Sequence, residues 1–172
     1  MILEQITKDE FDFFVEFIGG LNKEQLDEFG KRQAEMQPDL YGMVYSYGFG
    51  SLDAKIFLSI YKIYMMIMVC YYRFYGDIPL ITRQFNEGTI ANWIDMIKYD
   101  VKNHNLNSIQ RAAKRKLRQD VLFDLVNLMI EYDKEFEQLT EEQYISLHAG
   151  FYMMMHSLNQ TIIAMREGTS EI

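Results

Sequence analysis

Apolar positions recur at three- and four-residue intervals along most of the chain, and no stretch of six residues alternates with a period of two. The punctuation between these runs is that of helices. Thr7 followed by Glu10 is a capping box, and Phe11, Phe14, Val15 and Ile18 then lie on one helical face before Gly19 and Gly20. Asn22 and Gln25 open a second helix carrying Leu26, Phe29 and Met36, ended by Pro38. Ser51 or Asp53 caps a long apolar helix reaching Tyr75, with Lys55, Ser59 and Lys62 as a narrow polar stripe. Pro79 suits the first turn of a short helix, Thr89 the cap of another, and Ser108 the start of a long one. Thr140 and Gln143 form a further capping box, opening a last helix that runs to Gly168. The pattern predicts an all-α single domain over residues 1–172: a bundle of about six or seven helices around a central apolar helix near 53–75.

Two of these helices have unusual faces. In the one beginning near Ser108, Ile109, Ala113 and Leu117 share an apolar side, yet Asp120, Asp124, Glu131 and Glu135 continue that side as acids. Buried and exposed faces exchange around residues 118–120, so the helix either breaks near Gln119 or changes neighbours there. In the last helix, Tyr144, His148, Phe151, Met155, Leu158, Ile162 and Met165 alternate spacings of four and three. That seam suits a helix aligned with a neighbour, or homodimerisation through the 144–165 helix.

Composition narrows the class. The chain has 172 residues, 49% of them hydrophobic and 15% aromatic, which excludes a disordered or fibrous protein. One cysteine, Cys70, leaves no intrachain disulfide and no Cys-cluster zinc site. Residues 1–5 lack the basic region and apolar run of a secretory signal, so a cytoplasmic location is expected. Ile56–Tyr72 is long enough to test that expectation, but Lys62 lies inside it and tyrosine hydroxyls crowd its end. A core helix is the expected reading, with no membrane span.

Charge is segregated along the chain. Residues 1–30 hold eight acids and two bases, residues 101–119 six bases and no acid, and residues 120–172 ten acids and two bases, within a net charge of -8. Arg111, Lys114, Arg115 and Arg118 fall within about 100° of one helical face. This basic face either answers acids of the same chain or binds an acidic partner, a phosphorylated ligand or a nucleic-acid backbone. Nucleic acid is the less favoured ligand, because no aromatics interleave the basic residues and the flanks are acidic.

No catalytic constellation emerges. His148, Tyr152 and His156 recur at four-residue steps beside Met153, Met154 and Met155, a weak candidate metal site without a nearby carboxylate. Histidines packed in a core explain the same pattern, and no cofactor is expected. The leading expectation is a non-enzymatic interaction module, such as a regulator, inhibitor or immunity-type protein. It would act by binding another protein through its acidic helix faces or through the Tyr-rich segment of Tyr41, Tyr45 and Tyr47.

Overall fold

The computed structural model describes residues 4–42, 53–100 and 105–168. Within them lie α1 (Lys8–Gly20), α2 (Lys23–Met36), α3 (Ala54–Tyr75), α4 (Arg83–Asp100), α5 (Leu106–Leu117), α6 (Asp120–Tyr132) and α7 (Glu141–Glu167). A 3₁₀ turn, Lys134–Gln138, joins α6 to α7, and residues 38–42 are also helical. The described residues form an all-α bundle without strands, as the periodicity predicts.

Three capping boxes stand where the sequence places them. The Thr7 amide donates to Glu10 Oε2 at 2.9 Å, and the Asn22–Gln25 and Thr140–Gln143 boxes are reciprocal. Asp53 caps α3: its carboxylate accepts the Lys55 amide at 2.9 Å; Ser51, the other candidate, lies outside the described residues. Other boundaries move. The cap of α4 is Thr82, whose hydroxyl accepts the Phe85 amide at 3.2 Å, so the cap lies seven residues before Thr89. Pro79 starts no helix; it belongs to an irregular segment over residues 76–82. Asn105 caps α5, taking the Ser108 amide at 3.0 Å, so Ser108 is the third helical residue rather than the cap.

Two helices form the interior. Along α3 every residue from Ile63 to Tyr71 is buried, and along α7 every residue from Phe151 to Asn159. α7 packs on α3, α4, α5 and α6, while α3 also receives α1 and the 3₁₀ turn. Burial of this apolar material, at about 1.5–3 kcal/mol per large side chain, is the main force closing the bundle. The seam on α7 lies inside this core from His148 to Ile162, and only its outer end, Met165, is exposed. α3 is the one described helix long and apolar enough to cross a membrane, and 72% of its most apolar window is buried within the protein. The expected polar stripe is incomplete, because Ser59 is buried between exposed Lys55 and Lys62, and exposed Leu58 stands in its place.

Wrapping α7 on several sides puts polar side chains in the core, and neighbours satisfy those of Ser157 and Asn159. Ser157 donates to Asn86 Oδ1 at 2.8 Å and lies 2.9 Å from the Thr89 hydroxyl. This explains why Thr89 sits mid-helix: its hydroxyl donates to the Asn86 carbonyl at 2.9 Å instead of capping. Asn159 donates to the Leu117 carbonyl at 3.0 Å and accepts the Tyr71 hydroxyl at 2.8 Å, tying α3, α5 and α7 together.

Candidate functional site

The basic face rests on a helix break. α5 ends at Leu117; Arg118 follows in the left-handed region at φ 53°, and Gln119 precedes the first residue of α6. The turn rotates the chain so that α5 buries Ile109, Ala112, Ala113 and Leu117, while α6 buries Leu122, Phe123, Val126 and Ile130. Both halves of the face exchange are thereby satisfied, with Asp120, Asp124 and Glu131 exposed.

Of the four basic residues, Arg111, Arg115 and Arg118 are exposed and Lys114 is half-buried. Lys114 Nζ reaches both carboxylate oxygens of Asp124, at 2.6 and 2.7 Å, and lies 6.0 Å from the centre of the Phe123 ring. Arg111 Nε donates to the Asn107 carbonyl at 3.2 Å within its own helix. The Lys114–Asp124 pair is about half solvent-exposed, which limits it to under about 1 kcal/mol. It nevertheless removes one cation from the face and supplies the internal acid that the sequence leaves open.

His148 and His156 do not converge. Eight residues apart on one helix, they are separated by about 12 Å of helical rise. The His148 Nδ1 lies 2.9 Å from Asn127 Oδ1, which accepts only, so the proton sits on Nδ1 and Nε2 carries the lone pair. The Tyr152 hydroxyl also donates to Asn127 Oδ1, whose own amide group is oriented by donation to the Phe123 carbonyl at 2.9 Å. His148 Nε2 is buried with no hydrogen-bond partner. His156 lies against Trp93, ring centres 5.0 Å apart. Burial lowers both imidazoles to a pKa of about 4, which keeps them neutral at ordinary pH. Among the described residues no group of three or more His, Cys, Asp or Glu side chains could hold a metal ion. Burial raises the Cys70 thiol to about 12, leaving it without nucleophilic thiolate.

Tyr41 is half-buried and packs edge-on against Tyr61 and Tyr64, with ring centres 6.3 and 6.0 Å away. It is a packing residue in this arrangement. Tyr45 and Tyr47 lie outside the described residues.

One surface on α1 lies outside the residues singled out by sequence. With Phe11 buried on the inner side, Phe13 and Phe17 fall on the outer side, 56% and 48% exposed. Helical spacing places Asp9, Glu10 and Glu16 around them, and Asp12 on the flank, where it pairs with Lys8. Two large aromatic faces in a field of carboxylates give a surface that is both apolar and negative. The signal was present in the sequence: Phe11, Phe13, Phe14 and Phe17 are more aromatics than one buried face can take. On α2, Glu24, Asp27 and Glu28 are exposed as well.

Comparison with protein-family models, with characterised proteins and with solved structures finds no match to this chain.

Proposed function

We propose that this protein is a non-enzymatic interaction module that binds a basic surface of another protein through the outer face of α1. The observation that carries this reading is the exposed Phe13–Phe17 pair set among Asp9, Glu10 and Glu16. Exposed phenylalanines on a helix lose apolar area to solvent that a partner would recover, at roughly 25 cal/mol per Å². The carboxylates around them select a cationic partner and repel an anionic one, which favours specificity and fast encounter. Seven acids and two bases among residues 8–30 extend that field over α1 and α2.

Capture of partners from the native source tests the reading. Three proteins would be compared after circular dichroism has established folding: wild type, Phe13→Ser/Phe17→Ser, and Arg111→Glu/Lys114→Glu/Arg115→Glu/Arg118→Glu. The expected result is a basic protein retained by wild type and by the α5 variant, lost from the α1 variant, and insensitive to nuclease. Loss from the α5 variant alone would move the site to the basic face. Loss on nuclease treatment would make the ligand a nucleic acid.

A further inference from the structure

A groove of about 390 Å³ opens at the meeting of α1, α2, α3 and α6, on a different side of α1 from Phe13 and Phe17. Its size falls within the range of small-molecule sites, roughly 300–1,000 Å³. Val15, Leu21, Leu26, Met66 and Met129 supply the side-chain walls, and Lys62 is the one charged side chain among the described lining residues. Gly19 completes the lining, and the place its Cβ would occupy has no atom within 4 Å, so missing side-chain volume helps to make the space.

We infer that this groove binds one linear aliphatic carboxylate, its hydrocarbon chain against the methionine and leucine walls and its headgroup at Lys62. Among the described residues no aromatic ring lines the groove, so these walls give a flat heterocycle nothing to stack upon. Among the described residues the lining offers no hydroxyl, amide or carboxylate side chain, so a sugar or nucleotide would bury polar groups without partners there. A flexible alkyl chain needs neither, and the unbranched thioethers of Met66 and Met129 adapt to its shape. Lys62 makes no ion pair among the described residues, and it interrupts an otherwise apolar stretch of α3. An ammonium at the edge of an apolar slot fixes a negative headgroup and disfavours a positive one.

Decanoate, decanol and decyltrimethylammonium, each below its micelle concentration, test the inference by calorimetry and by the methionine methyl resonances. Decanoate should bind at one-to-one stoichiometry and shift the methyl signals of Met66 and Met129, with decanol weaker and the cation weakest. Gly19→Leu projects a side chain into space the fold leaves empty, and its φ is ordinary, so the variant should fold and lose binding of both decanoate and decanol. Lys62→Met should weaken decanoate about tenfold, the scale of one charge-assisted hydrogen bond, and leave decanol unchanged. Absence of saturable binding to wild type, or binding that Gly19→Leu leaves intact, overturns the site. Equal loss of decanoate and decanol in Lys62→Met overturns the assignment of the headgroup. The Phe13→Ser/Phe17→Ser variant leaves the groove lining intact, so this result and the partner result stand or fall separately.

Discussion

Gln119 and Ile6, 113 residues apart in the chain, are joined by a hydrogen bond of 3.2 Å from the Ile6 amide to Gln119 Oε1. The same buried side chain donates through Nε2 to the Glu4 carbonyl at 3.2 Å and to the Tyr75 hydroxyl. One amide thus clips the segment before α1 onto the α5–α6 break and the end of α3. Gln37 does the same elsewhere: it accepts the Ile81 amide at 3.0 Å and donates to the Pro79 carbonyl at 2.8 Å, holding the irregular segment between α3 and α4.

Replacing Gln119 with Leu keeps the volume and strands the Ile6 amide in the core. Unsatisfied buried groups cost about 1–3 kcal/mol, so a loss of about 2–4 kcal/mol is expected by urea unfolding. Native-state hydrogen exchange should show the Ile6 amide losing protection first. Protection unchanged at Ile6 would mean that the clip does not hold in solution.

Gly30 allows α2 to approach α3. A Cβ there would lie 1.7 Å from the Tyr61 hydroxyl and 2.9 Å from its ring carbon, against a side chain stacked between Phe57 and Tyr64. Gly30→Ala gains up to about 1 kcal/mol of helix propensity but is expected to destabilise by about 1–3 kcal/mol overall. Tyr61→Phe in the same background should return part of that loss by removing the nearer atom. If Gly30→Ala is instead stabilising, propensity outweighs the crowding and α2 sits further out.

Arg118 is the one described non-glycine residue at positive φ, 53°. Glycine is at ease there, so Arg118→Gly should stabilise by up to about 1 kcal/mol, and Arg118→Val should destabilise through its branched Cβ. Both effects should appear as shifts of the denaturant midpoint at constant m-value. A destabilised Arg118→Gly would give the arginine side chain a structural role larger than the backbone strain.

His148 and His156 make stability depend on pH in a defined window. Unfolded imidazoles take a proton near 6.5, whereas the folded ones, buried, wait until about 4. Each therefore contributes stability that is complete above pH 6.5 and declines as pH falls towards 4, at up to about 1.4 kcal/mol per pH unit. His156→Phe keeps an aromatic ring against Trp93 and removes one titration. Chemical unfolding at several pH values should show wild type losing on the order of 3 kcal/mol relative to the variant between pH 6.5 and 4. Parallel curves would show that His156 titrates alike in both states.

The helical class, the three capping boxes and the exchange of faces beside Gln119 were legible because each depends on residues close in sequence; that the exchange is made by a helix break was decided by the fold. A box needs a side chain and an amide three positions apart, and a face exchange is visible as soon as apolar spacing is followed through residues 113–126. Thr89 was misread for the complementary reason. Its hydroxyl can cap a helix or lie beside Ser157, and only the packing of α4 on α7 determines which.

The candidate surfaces divide in the same way. The sequence by itself determined the clustering of charge and the basic arc from Arg111 to Arg118. Tertiary structure decided which of those groups meet. It set Lys114 on Asp124, placed Asn127 and Trp93 against histidines that lie on one helix, and left Phe13 and Phe17 outside while Phe11 went in. Helical periodicity assigns residues to faces; which face is covered depends on neighbours tens of residues away, whose positions the local pattern does not contain.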